Sequence, residues 1–196
     1  MSDTPDSTPG EITRCLTDWR NGDEQALARL TDEVYRELRR RAGSVMAGQL
    51  GKITIQPTAL VHELYFQLPK VQHFDWQSRG QFLNVAASMM RNILVDHARK
   101  RLALKRGAGA GTLLVDMPVN DPALHVDVLL VNAALEKFAE QYPRHAKVVE
   151  LRFFGGLTAE ETLDALKAAG IESSQRTIER DWSFARAWLH NAIGSK

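Results

Sequence analysis

The chain has 196 residues, 44% of them hydrophobic and 25% charged, with a formal net charge of +1. These values suit a soluble globular protein of one medium or two small domains, and no stretch approaches the ~18 uncharged apolar residues of a membrane span. A single cysteine, Cys15, rules out an internal disulfide and fits a reducing cytosol. Residues 1–10 carry no base and no apolar run, which predicts a disordered tail and not a signal peptide. The expectation is a cytoplasmic protein with no membrane contact.

Helical periodicity then runs through the chain. Ile12, Leu16 and Trp19 repeat at helical spacing until Asn21-Gly22 breaks the pattern. A second helix, from Asp23, carries Ala26, Leu27, Leu30, Val34, Tyr35 and Leu38 on one stripe. Pro57 suits the first turn of a third, with Leu60, Val61, Leu64, Tyr65 and Leu68 on its apolar side, and Pro69 ends it. A loop holding Phe74 and Trp76 follows. Ser78 and Gln81 then form a capping-box pattern ahead of a long helix lined by Phe82, Val85, Ala86, Met89, Met90, Ile93 and Leu94.

Three glycines between 107 and 111 mark a linker, placed at 107–126. They lack the lysine and hydroxyl of a phosphate-binding loop, and no strand precedes them. A second unit starts near Asp127. Val128, Leu129, Val131, Leu135 and Phe138 predict a helix ending at Tyr142-Pro143. Another covers Ala146 to Phe154 and stops at Gly155-Gly156. Thr158 and Glu161 form a second capping box for a helix from Ala159 to about Ala168, which Gly170 closes. The last helix runs from near Ser174 to about Asn191, with Ile178, Trp182, Ala185 and Leu189 inward. The fold class expected is all-α: two small helical domains, 11–106 and 127–192, joined by a flexible linker.

Chemistry enters with charge. Residues 91–106 hold six bases (Arg91, Arg99, Lys100, Arg101, Lys105, Arg106) against one acid, Asp96. Such a patch suits a polyanion; it also suits a solvated helix C-terminus. In the last helix Arg176 and Arg180 lie four apart and share a face away from the apolar stripe, with Gln175, Thr177 and Ser183 nearby. A short helix, a glycine turn and this helix have the order of a helix-turn-helix, and arginine and glutamine can pair with guanine and adenine. Glu179 and Asp181 oppose phosphate contact. An ordinary amphipathic helix has the same pattern. His62-Glu63 begins like a zinc-protease motif, but Phe66 stands where its second histidine belongs. Neighbouring Asp96 and His97 do not face each other, and the other histidines are scattered. No enzyme, metal site, cofactor or small-molecule substrate is expected.

Several blocks together resemble one family. The run Gln56-Pro57-Thr58-Ala59-Leu60-Val61-His62-Glu63-Leu64-Tyr65 is similar to the polymerase-docking helix of extracytoplasmic-function (ECF) sigma factors of the sigma-70 superfamily. Residues 82–99, Phe82 to Arg99, resemble the promoter-facing helix of their first domain. Residues 148–162 and Arg176-Thr177-Ile178-Glu179-Arg180-Asp181-Trp182 resemble the entry and recognition helix of their second. The likeness spans about 11–192, with the blocks in the family's order.

The resemblance implies a protein that docks on core RNA polymerase, recognises promoter DNA and helps initiate transcription. Leu60, Glu63, Leu64 and Gln67 would dock on the polymerase. The 71–81 loop would hold a flipped base of melted minus-ten DNA, with Phe74 or Trp76 as a stacking ring; burial of both rings is the alternative. Arg91, Arg99, Lys100 and Arg101 would steady the backbone. Gln175, Arg176, Thr177 and Arg180 would enter the major groove of the minus-thirty-five duplex. An anti-sigma factor is a further candidate partner. One departure stands out: the family joins the leucine matched by Leu166 to the arginine matched by Arg176 through four residues, and this chain uses nine, 167–175. The first helix is then extended, or the loop is longer. Two rival classes remain: a DNA-binding regulator without polymerase docking, and a helical scaffold.

Overall fold

The computed structural model describes residues 14, 15, 17–19, 21–23, 25, 26, 29, 60, 63, 64, 66, 67, 78–107 and 122–194, without the side chains of 101, 104–107, 122–127 and 194. The expected tail at 1–10, Phe74 and Trp76, and the linker segment 108–121 lie outside these residues, as does the Arg101 side chain. Every regular element among the described residues is a helix.

The long central helix, α1, spans Arg79–Gly107. Ser78 starts it: its hydroxyl oxygen accepts from the Gln81 amide at 3.2 Å, satisfying one of the orphan donors of a helix end. Phe82, Ala86, Met90, Ile93 and Leu94 are buried, as their spacing predicts. Leu83, Ala87 and Val95, outside that stripe, are buried too. A helix apolar on more than one side is packed on more than one side. Cys15, Trp19, Ala26, Leu60 and Leu64 share the buried cluster with α1.

Helix α2 spans Pro122–Gln141 and α3 spans Pro143–Val149. Each opens on a proline, whose missing N–H is not needed at a first helical position. The start of α2 at Pro122 falls inside the expected 107–126 linker. A π-helical turn, Glu150–Phe154, continues α3, and the Gly155 amide donates to the Glu150 carbonyl at 3.0 Å. Helix α4 spans Ala159–Ala168 behind a complete capping box: Thr158 Oγ1 accepts from the Glu161 amide at 3.2 Å, and Glu161 Oε2 accepts from the Thr158 amide at 2.9 Å.

Helix α4 ends in a left-handed glycine, Gly170, at φ +74°. The Gly170 amide donates to the Lys167 carbonyl and the Ile171 amide to the Leu166 carbonyl, both at 2.9 Å. This paired pattern is the Schellman closure. It resolves the nine-residue departure. Lys167 and Ala168 belong to the helix, and 169–174 form the turn before α5, Gln175–Gly194.

Helix α5 packs on α2, α3 and α4, while α1 packs on α2, the π turn and α4. The segments expected as two domains therefore lie face to face, with one buried cluster running through both.

Candidate nucleic-acid interface

Ser174 caps α5. Its hydroxyl accepts from the Thr177 amide at 3.2 Å and lies 2.8 Å from the Thr177 hydroxyl. Thr177 is thus engaged locally and half-buried, whereas Gln175, Arg176 and Arg180 are exposed on the first turns. Ile178, Ala185 and Leu189 are buried on the opposite side, with Trp182 half-buried against the core.

The two acids of this helix do not face outward as free charges. Asp181 is 1% exposed; its carboxylate lies 2.9 Å from Arg144 Nη2 and 3.4 Å from His145 Nε2, both on α3. Glu179 pairs with Arg152 at 3.0 Å, and the Arg152 guanidinium lies over the Trp182 ring at 5.1 Å. What α5 presents is a polar face with Arg176 and Arg180, next to a helix N-terminus that favours phosphate.

The basic end of α1 is a second surface. Arg99 and Lys100 are exposed, and among the described residues Arg99 makes a long 3.9 Å contact with exposed Asp96. Arg91 has a different setting. It donates to Glu150 at 3.1 Å and to Asn132 at 2.8 Å, and sits 5.8 Å from the Phe154 ring centroid. Glu150 also accepts from Ser88 at 2.6 Å and Lys147 at 2.5 Å.

Burial raises the Glu150 pKa, but the hydrogen bonds from Lys147, Ser88 and Arg91 outweigh it and hold the group below its ordinary value. The sign follows. With a depressed folded pKa, its stabilisation is complete above the ordinary carboxylate range and lost as pH falls below it. Thermal midpoints of the wild type and Glu150→Gln should differ at pH 7 and converge toward pH 3. A gap independent of pH contradicts this account.

The helical residues Leu60, Glu63, Leu64, Phe66 and Gln67 form a third feature. Leu60 and Leu64 are 4% and 1% exposed and turn into the core, while Glu63 contacts His97 of α1. Phe66 is 72% exposed.

A family model described as ECF sigma factor matches residues 9–195. The chain belongs to the ECF sigma factor family. No curated protein and no solved structure matches it. Sigma factors are non-enzymatic proteins of transcription initiation that bind core RNA polymerase and DNA. Among the described residues no helix is long and apolar enough to cross a membrane, and no three His, Cys, Asp or Glu side chains gather as metal ligands.

The structure brings some of this sigma factor's expected site residues together and separates others. Gln175, Arg176 and Arg180 share one exposed surface, and Arg99 and Lys100 share another. Arg91 leaves that second group for Glu150 and Asn132. Leu60 and Leu64 anchor their helix from inside, which leaves Glu63, Gln67 and Phe66 nearer its surface. Phe66 carried one signal in the sequence: an aromatic residue off the apolar stripe of its helix.

Proposed function

We propose that this sigma factor docks on core RNA polymerase through the helix carrying Glu63, Phe66 and Gln67, with Leu60 and Leu64 holding that helix in place. The same reading divides the chain into a first domain, 11–106, a linker within 107–126 and a second domain, 127–192. Helices α4 and α5 act as a helix-turn-helix on the minus-thirty-five element. The basic end of α1, with Arg99, Lys100 and Arg101, lies along the backbone near the minus-ten element, and Phe74 or Trp76 stacks on a melted base. The protein works in the cytoplasm, and an anti-sigma factor is a candidate regulator.

The observation that carries the reading is the charge arrangement of α5. Asp181 is buried against Arg144, and Glu179, though exposed, is paired with Arg152, while Arg176 and Arg180 stay exposed one turn apart beside the helix N-terminus. A scaffold helix has no need of that sorting.

Arg180→Ala should change promoter use according to the upstream element. One base-specific arginine contact is worth about 1–3 kcal/mol, so preference should shift roughly ten-fold. Arg99→Ala should weaken many promoters alike and reduce the salt dependence of binding, as loss of a phosphate contact does. A promoter library transcribed by both variants at fixed salt decides. Equal, uniform losses from both would show that Arg180 touches phosphate and not bases.

A further inference from the structure

A groove of about 590 Å³ lies between the C-terminal half of α5, helix α2 and the junction of α3 with the π turn. Val131, Val149 and Leu189 are buried and make its floor, while half-buried Phe153, Trp182 and Ile193 make its walls. The volume is that of a small-molecule site, about 300–1,000 Å³. On α5 the lining residues Trp182, Arg186, Leu189 and Ile193 recur at three- and four-residue spacing, so one face of the helix forms one long wall. Arg152 holds Trp182 in place: its guanidinium lies over the ring at 5.1 Å and pairs with Glu179 at 3.0 Å. That wall is set before any ligand arrives.

The polar side chains at this groove are Ser183, Arg186 and His190, all exposed and all on α5. Arg186 and His190 lie four apart and share a face. Among the described residues neither has an ion-pair or hydrogen-bond partner, and no acid lines the groove. The half-buried arginines Arg79, Arg91, Arg144 and Arg152 each pair with a carboxylate. Arg186 also lies ten residues, about 15 Å, along α5 from Arg176, beyond the N-terminal turns with which a recognition helix reads bases. Two cations with no acid of their own thus stand at the mouth of an apolar cavity.

We propose that this groove binds a medium-chain fatty acid, with the alkyl chain on the apolar floor and the carboxylate across Arg186 and His190. The site goes beyond the functional reading above and does not depend on it. Hydrocarbon covers the floor without leaving polar groups unmet. The guanidinium fork donates to both carboxylate oxygens, and the imidazole N–H supplies a further donor. A peptide helix, about 10 Å across with its side chains, is too wide to lie within a space of this volume, whereas a single alkyl chain is not.

Calorimetric titration of the full-length protein with decanoate, kept below micelle formation, tests the site. One saturable site is expected, and each methylene added between hexanoate and decanoate should tighten binding about four-fold. Decanoate at a hundred-fold excess over its Kd should raise Tm by about 5–10 °C. Ala187→Trp places a ring in the groove and should abolish binding, and Arg186→Glu should weaken it roughly ten-fold or more. Both positions are exposed, so both variants should keep the wild-type Tm without ligand. Decyltrimethylammonium, with the same chain and the opposite charge, should bind the wild type more weakly than decanoate, and Arg186→Glu should reverse that order. No saturable decanoate binding by the wild type, or binding unchanged in both variants, would overturn the site. Equal binding of the cationic amphiphile would overturn the place of the carboxylate at Arg186 and His190.

Discussion

Leu64→Asp should unfold the N-terminal part of the protein, whereas Phe66→Asp, two residues away on the same helix, should leave it folded and weaken polymerase binding. Leu64 is 1% exposed, and its place in the buried cluster offers a carboxylate no water. The loss of apolar burial and the burial of a charge together should exceed about 5 kcal/mol. Phe66 is 72% exposed, so the same new charge meets solvent and should cost under about 0.5 kcal/mol of stability. As an aromatic anchor of a protein interface its removal should cost about 2 kcal/mol, roughly thirty-fold in Kd. Circular dichroism and co-purification with core polymerase separate the two effects. Full core binding by Phe66→Asp would move the docking surface elsewhere. A stable Leu64→Asp would contradict the packing of this helix.

The second large effect should come from Arg144, not from Asp181 to which it is bound. The Arg144 side chain is 36% exposed and that of Asp181 only 1%. Removing Arg144 leaves a buried carboxylate with His145 as its remaining neighbour, a loss near the lower end of the usual range, about 3 kcal/mol. For a chain of this size that lowers Tm by roughly 10 °C. Asp181→Asn lets Arg144 turn to water and should cost much less. The double variant Arg144→Ala, Asp181→Asn should recover most of the stability lost by Arg144→Ala alone. Because Asp181 lies between Arg180 and Trp182, the pair also sets the rotation of α5. Arg144→Ala should therefore blur upstream-element preference although it touches no base. Additive losses in the double variant would show that the two side chains do not act as a unit.

Local signals were legible in the sequence. The Thr158–Glu161 capping box, the Ser78 cap and the glycine stop at Gly170 each depend on residues a few positions apart, and the structure holds them where the spacing predicts. The apolar stripes of α1 and α5 were equally plain. Partners distant in sequence were not. Asp181 stands among exposed residues in the sequence and reads as a charge opposing DNA; only the fold brings Arg144, 37 positions away, onto it. Arg91 belongs to a basic run, yet Glu150, 59 positions away, takes it. The apolar stripe with Leu60 and Leu64 predicts a helix with one sticky face and cannot say whether that face meets its own core or a partner. The structure turns both leucines inward. The extended connection at 167–175 was visible as a length, but its division into the last two residues of α4, a Schellman closure with a short turn, and the first residue of α5 needed the backbone.

The most direct test of the central claim is transcription by purified core RNA polymerase, with and without this protein, from a library of randomised upstream DNA. The account predicts transcripts that require the protein and begin at a fixed distance downstream of a shared two-part sequence, with the upstream part altered by Arg180→Ala. Sequence-specific binding of the protein to DNA alone, with no protein-dependent transcript from core polymerase, would contradict it.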